Sequence, residues 1–345
     1  MPDGRSAGQA GAAVLAVDGG NSKADVALIG PAGELLAAVR GPTVSHQAVG
    51  IDTGMDRLSQ LVRTAAERAE LPTEDGGPVA KLGVFALAGA DYPSDVRLLE
   101  RSLRRRGFAT VDLVLNDSFG ALRAGTDRDW GVVLICGQGI NAAAINPDGR
   151  RARFEALGEI SGDWGGGTSI GQAGLAAAVR GRDGRGPRTS LERLVPAHFG
   201  MTTPAALTRA MYEGRIRMAQ LAELPPIVFG AAADGDAAAR AIADRLAEEL
   251  ATMATALMRR LRMTSLDPDI VLAGGVFRTR DAEFFEALER RIREVAARAR
   301  LVRLTAPPVA GAAILGLDRL DHGPVDPASA HHLRAALAEW SASLA

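Results

Sequence analysis

The sequence predicts an α/β protein of two successive lobes, each with the element order βββαβα. Two observations carry this prediction. Over residues 14–117, three strands joined by tight turns are followed by alternating helices and strands. A strand, a glycine-bearing turn and a second strand then recur about 115 residues later, at 130–151, as a weak internal repeat. Duplication of one βββαβα unit explains both features, and it predicts a cleft between the lobes.

The first lobe opens with three short apolar strands at 14–18, 24–30 and 34–41, the pattern of an antiparallel meander. Apolar residues at helical spacing then predict a helix over 51–71. The rest of the lobe is a strand over 82–89, a helix over 94–107 with Ser94 as N-cap and Gly107 as its end, and a strand over 111–117.

The second lobe repeats the opening strands and then departs from the pattern. A largely helical insertion is predicted from about 168 to 262, and its longest helix runs from about Asp236 to Met263. A strand with a glycine turn resumes at 268–280, and a small-residue helix follows at 307–320. The predicted domains are a disordered tail over 1–12, a first lobe over 13–123 that a terminal helix at 329–344 joins, and a second lobe over 124–322.

Composition excludes several classes of function. Among 345 residues, 23% are charged and the net charge is −1, so there is no basic excess for nucleic acid. The single cysteine, Cys136, excludes an internal disulfide and a multi-cysteine metal site within one chain. The five histidines lack helical zinc-ligand spacing. No apolar run reaches the ~20 residues of a membrane span, and the N-terminus has no signal-peptide pattern. We therefore expect a cytoplasmic protein with no nucleic-acid or membrane partner.

Three glycine-rich turns next to apolar strands are candidate phosphate sites. Oriented backbone N–H groups in such turns bind phosphate because glycine adds no bulk. One such turn is explained by a tight hairpin, whereas three in one chain favour a nucleotide site. A P-loop sequence is absent, and the first glycines open a hairpin, which excludes a Rossmann site. The turns are Gly19-Gly20-Asn21-Ser22-Lys23, Gly137-Gln138-Gly139-Ile140-Asn141 and Gly274-Gly275-Val276.

Two carboxylates, Asp18 and Asp117, lie where predicted strands end. Because Mg²⁺ prefers oxygen ligands and usually keeps several waters, one carboxylate beside a phosphate turn is sufficient to hold it. Phosphoryl transfer to an alcohol also uses a carboxylate that accepts the hydroxyl proton. The alternative for Asp117 is a helix N-cap. Asp163 lies two residues before a run of three glycines. It has the same two interpretations, a contact with a ligand or a local structural role.

The order of these motifs resembles the BadF/BadG/BcrA/BcrD-type ATPases of the actin-like, hexokinase-like superfamily, and most closely the N-acetylglucosamine kinases. The resemblance extends over roughly residues 14–320. It implies actin-like (ribonuclease H-like) lobes, ATP and Mg²⁺ as cofactors, a sugar substrate and a homodimer. The motifs are Asp18-Gly-Gly-x-x-Lys23, Asn116-Asp117, the strand and turn of 131–141 with Asn-Pro-Asp-Gly at 146–149, Ser161-Gly-Asp-Trp-Gly, and Leu-Ala-Gly-Gly-Val at 272–276.

The resemblance also implies roles for individual residues. Asp18 would orient water-coordinated Mg²⁺, and Asp117 matches the catalytic base. The first turn, Gly19, Gly20, Asn21, Ser22 and Lys23, would approach the β- and γ-phosphates. Gly137, Gln138, Gly139 and Asn141 would form the second phosphate loop, and Gly274 and Gly275 would pack against adenosine and the α-phosphate. The substrate contacts would come from Ser45, His46, Gly89, Asp91, Asn116, Asp117 and Asp163.

Several positions depart from the family pattern: Ser45 replaces Asn, Ala88 replaces Ser, and Trp164 stands where the kinases commonly carry Glu. Substrate choice should follow these changes, because a buried polar group without a partner is costly. The first turn also has Asn21-Ser22 where Gly-Thr is usual, a change that should be tolerated. The predicted function is ATP-dependent phosphorylation of the 6-hydroxyl of N-acetylglucosamine or glucosamine. The alternatives are an ATPase activator, whose relatives hold an iron–sulfur cluster with two cysteines per subunit, and a non-catalytic sugar or nucleotide sensor.

Overall fold

The structure, a computed structural model, describes residues 11–71, 77–320 and 323–344. Residues 1–10 of the predicted tail lie outside the described residues, and the first strand already begins at Ala12. The described chain forms two compact units. The first contains the described residues up to Asp129 together with those from Leu304 onward, and the second is Trp130–Arg303.

The first unit is built on a five-stranded mixed sheet of order β3-β2-β1-β4-β5. The first three strands form the predicted antiparallel meander, and β4 and β5 add to β1 in parallel. Three of the five strands are buried along almost their whole length, so this sheet is covered on both faces. The strands are β1 (Ala12–Gly19), β2 (Lys23–Ile29), β3 (Leu35–Pro42), β4 (Ala80–Leu87) and β5 (Ala109–Asn116).

The helices that connect these strands are α1 (His46–Val49), α2 (Ile51–Arg68) and α3 (Pro93–Arg106), and α4 (Asp117–Gly125) follows β5. The predicted N-cap of α3 is wrong, since Tyr92 and not Ser94 occupies that position. Proline fits the first turn because it has no N–H to leave unpaired, and the Asp95 carboxylate accepts a hydrogen bond from the Tyr92 N–H at 2.9 Å. The predicted end is confirmed, because Gly107 is left-handed with φ 65°.

The second unit carries a sheet of order β10-β9-β6-β7-β8, which repeats the pairing pattern of the first. The meander β6-β7-β8 is antiparallel, and β9 and β10 add in parallel. The same topology from two separate stretches of sequence confirms the predicted duplicated fold class. The strands are β6 (Gly131–Cys136), β7 (Ile140–Ile145), β8 (Arg151–Arg153), β9 (Asp269–Ala273) and β10 (Arg300–Arg303).

The predicted helical insertion lies between β8 and β9, and its longest helix is capped by Asp236. The predicted strand with a glycine turn over 268–280 is confirmed: β9 ends at Ala273, Gly274 has φ 107°, and a 3₁₀ helix, Gly275–Arg278, follows it. Strand β10 was not predicted, because it is short and its side chains are partly exposed. The helices are α5 (Gly166–Asp183), α6 (Leu191–His198), α7 (Pro204–Tyr212), α8 (Pro225–Ala233), α9 (Ala237–Arg260) and α10 (Ala282–Arg293).

The chain returns to the first unit after β10 with α11 (Pro308–Leu320) and α12 (Pro327–Ala342). The predicted second lobe extends to residue 322, whereas the second unit ends at Arg303. Two glycines explain the difference. A Cβ at Gly311 would overlap the carbonyl of Gly120 in α4, and one at Gly316 would overlap Val14 of β1. The small residues of α11 therefore fit closely onto the first sheet. Within the described ranges, no helix has both the length and the apolarity of a bilayer span.

Candidate active site

The carboxyl ends of β1, β4 and β5 meet at one edge of the first sheet. The register aligns Gly19 with Leu87 and Leu87 with Asn116. Asp18 lies on β1 immediately before this level, and Asp117 directly follows β5. The structure therefore brings the predicted magnesium ligand and the predicted base to the same edge, with β4 between them.

The surroundings of Asp18 at this edge disfavour its charged carboxylate form. Burial, followed by the negative charges of Asp117 and Asp25, raises its pKa to about 8, and Lys23 and Arg40 only partly oppose this. A divalent cation beside Asp18 would supply the missing countercharge, so the residues fit Mg²⁺. No group of three or more His, Cys, Asp or Glu side chains suited to a metal occurs in the part of the chain that the structure describes. Such an ion would therefore depend on water and phosphate oxygens for its other ligands.

Asp117 is the first residue of α4 and does not cap it. The cap is Asn116, whose Oδ1 accepts hydrogen bonds from the Ser118 N–H at 3.2 Å and from the Ser118 hydroxyl at 2.5 Å. The capping interpretation of Asp117 is therefore wrong. Because the neighbouring asparagine satisfies the helix terminus, the Asp117 carboxylate is not required for capping.

The first glycine turn presents Asn21, Ser22 and Lys23 as exposed residues. Beneath them, Asp25 is fully buried and forms hydrogen bonds with the Arg40 guanidinium at 2.6 and 2.8 Å. The Lys23 ammonium lies 3.5 Å from the same carboxylate. Neither Asp25 nor Arg40 was predicted to have a role, although an acid inside an apolar strand is a feature that could have indicated one.

The predicted sugar residues of the first unit form a polar cluster, part of which is joined by hydrogen bonds to Asp91. Asp91 accepts from the Asn116 amide at 3.0 Å and from the Gln47 amide at 3.2 Å. Gly89 has φ 83°, and a Cβ there would lie 2.8 Å from Cε1 of His46. Ser45, His46, Gly89, Asp91 and Asn116 are thus brought together. Gln47 was missed, because nothing in its local sequence distinguishes it from a surface residue.

Two polar atoms of this cluster find no protein partner in the described chain: Oγ of Ser45, a residue that is 2% exposed, and the buried Nδ1 of His46. A buried hydroxyl or imidazole nitrogen without a hydrogen bond is costly and uncommon. A polar ligand at this position would satisfy both atoms.

In the second unit, the turn of residues 137–139 docks on the N-terminus of α5. The Gly167 N–H donates to the Gly137 carbonyl at 2.7 Å, and the Thr168 N–H donates to the Gln138 carbonyl at 3.1 Å. Gly166 permits this contact, since its φ is 78° and a Cβ would lie 2.5 Å from the Gly139 backbone. A Cβ at Gly137 or Gly139 would meet nothing within 4 Å, so the turn keeps an open side for a ligand.

A cavity of about 690 Å³ adjoins this turn. Gly137, Gln138 and Gly275 line it, so the structure brings two of the three predicted glycine turns to one site. The apolar wall consists of Pro225, Pro226, Phe229 and Val276. This volume and lining are those of a small-molecule site, and they suit a nucleoside. The contribution of α8 to the cavity wall was not predicted, because its apolar sequence is typical of a helix buried in a protein core.

Two predicted residues of the second unit do not line this cavity. Asn141 lies at the start of β7, and its Oδ1 is buried without a hydrogen-bond partner. Asp163 follows a 3₁₀ helix, Gly158–Ser161, and its carboxylate accepts from the Ser161 hydroxyl at 2.5 Å. Next to it, the Arg245 guanidinium stacks 3.9 Å from the Trp164 ring centre. Asn141 and Asp163 remain predicted ligand contacts.

Cys136 is buried in β6, and burial raises the pKa of its thiol to about 12. The side chain belongs to the apolar core of the second unit, where a free cysteine packs as a small apolar residue. This environment does not support the activator alternative.

Gly274 and Gly275 offer a matched pair of substitutions. A Cβ at Gly274 would lie 2.6 Å from the Cys136 carbonyl carbon at a φ of 107°, whereas one at Gly275 would meet nothing within 4 Å. We expect Gly274→Ala to lower the free energy of unfolding by at least about 1–3 kcal/mol and Gly275→Ala to leave it nearly unchanged. Thermal and urea unfolding of both variants checks this, and equal stabilities would contradict it.

Comparison with known families adds to this geometry. The model of the BadF/BadG/BcrA/BcrD ATPase family matches residues 15–316. The chain belongs to this family. The resemblance found in the sequence is thereby confirmed. The BadF/BadG/BcrA/BcrD match begins within β1 and includes the whole of β2–β10.

Two curated relatives are similar to this family member over most of their length. An N-acetyl-D-glucosamine kinase of Dictyostelium discoideum is 26% identical over 311 residues, which are 88% of this chain and 97% of the relative. An N-acetylmuramic acid/N-acetylglucosamine kinase of Clostridium acetobutylicum is 27% identical over 264 residues, 76% of this chain and 85% of the relative.

Solved structures share the fold. A Chromobacterium violaceum protein with a provisional N-acetylglucosamine kinase name has a TM-score of 0.68 at 24% identity, covering 88% of this chain and 98% of its own. A ROK hexokinase from Thermus thermophilus has a TM-score of 0.53 at 18% identity, covering 90% and 99%. The BadF/BadG/BcrA/BcrD chain therefore has the actin-like α/β fold of these sugar kinases.

Proposed function

We propose that this protein is an ATP-dependent kinase that phosphorylates the 6-hydroxyl of an amino sugar, N-acetylglucosamine or glucosamine. One observation carries the proposal: Asp117, which is not needed as a helix cap, directly follows Asn116, a member of the polar cluster in which Ser45 and His46 lack partners. The names of the two curated relatives support the same substrate class.

In the proposed mechanism, the first unit binds and activates the sugar. Asp91, with its two carboxylate oxygens held by Gln47 and Asn116, accepts hydrogen bonds from sugar hydroxyls. Ser45 and His46 find their missing partners on the sugar. Asp117 accepts the proton of the attacking hydroxyl, which raises its nucleophilicity as the phosphoryl group transfers.

The nucleotide is held through its phosphates and its base. Lys23 and the backbone N–H groups of the first turn neutralise phosphate charge, and the turn of residues 137–139 contributes further N–H groups. The apolar cavity beside Gly275 takes the adenosine. Asp18 would orient Mg²⁺, and the ion would supply electrostatic stabilisation of phosphate charge when bound. A homodimer, implied by the resemblance, and a cytoplasmic location, expected from the apolar pattern of the sequence, belong to the same proposal.

The test is ADP release from MgATP with N-acetylglucosamine, glucosamine, N-acetylmuramic acid, N-acetylmannosamine and glucose, each matched with its 6-deoxy analogue where one is available. We expect one of the first two sugars to give the highest kcat/KM and its 6-deoxy analogue to give no turnover, because the acceptor hydroxyl is missing. Phosphorus NMR of the product identifies the phosphorylated oxygen.

Other outcomes of this assay would favour one of the alternative functions. Tight binding of a sugar or of ATP without turnover of any sugar would favour a sensor. A preparation that binds iron and hydrolyses ATP without a sugar would favour the activator. Turnover with phosphate at another oxygen would retain the kinase and reject the 6-hydroxyl.

A further inference from the structure

A row of charged residues crosses the first sheet next to the first glycine turn. The strand register pairs Asp18 with Asp25 across β1 and β2, and Asp25 with Arg40 across β2 and β3. Residues directly opposite each other on neighbouring strands point to the same face. Two carboxylates and one guanidinium therefore share one face of the sheet.

Asp25 has two cationic neighbours, and they bind it unequally. Nε and Nη2 of Arg40 donate to the two different carboxylate oxygens at 2.6 and 2.8 Å. The Lys23 ammonium lies farther away, at 3.5 Å, and its side chain is 48% exposed. A two-oxygen contact with guanidinium is the stronger arrangement. Arg40 therefore satisfies Asp25, and Lys23 is held only loosely.

The C-terminal helix α12 holds Arg40 from the other side. Nη2 of Arg40 also donates to the Ser341 hydroxyl at 3.0 Å, and the guanidinium lies 5.3 Å from the Trp340 ring centre. On the same helix, Ala330, Leu333 and Leu337 are buried and anchor it to the unit. The family match ends at residue 316, so α12 lies beyond the matched region.

We propose that Arg40, held by Ser341 and Trp340 of α12, is a positioning residue that keeps Lys23 available for the phosphates of the nucleotide. The inference rests on the proposed role of the first turn as a phosphate site. Without Arg40, Lys23 is the remaining cation close to the buried Asp25 carboxylate within the described ranges, and the carboxylate draws it down into a tight ion pair. The ammonium is then lost to the nucleotide.

Affinity for the ATP analogue AMPPNP with Mg²⁺, measured by calorimetry without any sugar, tests this. Arg40→Gln is expected to weaken binding about tenfold, and Arg40→Lys by less, since it keeps the charge but not the two-oxygen geometry. Asp25→Asn combined with Arg40→Gln removes the carboxylate that would capture Lys23 and should restore affinity to within about threefold. If the double variant stays as weak as Arg40→Gln, the proposal is overturned.

A second arm separates positioning from a general loss of structure. In a Lys23→Met background, adding Arg40→Gln should change AMPPNP affinity less than twofold, because the side chain through which Arg40 acts is already gone. A further tenfold loss would overturn the proposal. Trp340→Ala and Ser341→Ala should each weaken binding about two- to fivefold, whereas the exposed neighbour Glu339→Ala should not; equal effects of all three would also overturn it.

These measurements stand apart from sugar turnover. A chain that phosphorylates no sugar but shows the Lys23-dependent effect of Arg40 would retain this inference and lose the proposed kinase function. A chain that phosphorylates a sugar without that effect would do the opposite.

Discussion

Asp117→Asn should lower kcat for sugar phosphorylation by roughly 10²–10⁴-fold, the usual contribution of a general base. The amide has the shape of the carboxylate but cannot take the hydroxyl proton at neutral pH. Because Asn116 already caps α4, the helix should keep its position, and the affinities for sugar and for MgATP should change little. Coupled measurement of ADP release gives kcat and KM, and calorimetry gives the two dissociation constants.

A matched control lies on β5, the strand that Asp117 follows. Asp112 is five residues earlier on β5, away from the carboxyl edge where Asp117 follows the strand. We expect Asp112→Asn to retain kcat within about twofold. If Asp117→Asn retains kcat as well, another group accepts the proton and Asp117 is not the base.

Asp18→Asn should have opposite effects on activity and on stability. The variant loses the carboxylate that orients Mg²⁺, so phosphorylation should fall roughly 10²-fold or more. Without ligands, however, it should be more stable than the parent protein near pH 8. The cause is the raised pKa of Asp18, which lies at about 8 in place of 3.8 because of burial and of the nearby Asp117 and Asp25 carboxylates.

Proton linkage explains why the variant is expected to be more stable. Between about pH 4 and 8 the folded state retains a proton on Asp18 that the unfolded state has released, so the free energy of unfolding falls as pH rises through this window. Asparagine removes that dependence. Thermal unfolding in EDTA from pH 4 to 9 should show coincident Tm values at the acid end and a growing advantage of the variant above it. Parallel Tm curves would show that Asp18 does not carry the raised pKa.

Local sequence patterns predicted most of the framework of the fold. Alternating apolar residues and glycine turns define the two meanders, and Asp236 with a long apolar stripe defines α9. These features are set by neighbours in the chain. The position of α11 depends instead on Gly311 and Gly316, whose missing side chains matter only once α4 and β1 are in place. No window of sequence contains that information.

The residues of the candidate site also fall into those predicted from local motifs and those that depend on contacts between distant parts of the chain. Asp18, Asp117 and the glycine turns lie in recognisable motifs, whereas Gln47 and Arg40 act through residues 44 and 15 positions away in the chain. Their roles come from loop contact and strand register, which the sequence does not display. The same holds for Phe229, which reaches the cavity only through the packing of α8.

The way in which the chain completes its first unit has a consequence for synthesis on the ribosome. The second unit is one uninterrupted stretch and can acquire all its internal contacts as soon as Arg303 has emerged. The first unit must wait longer, because the ion pair between Arg123 and Asp318 joins residues 195 positions apart. The half of the protein that is translated first is therefore the half that finishes folding last, and its nascent β1, β4 and α4 surfaces stay uncovered until α11 arrives.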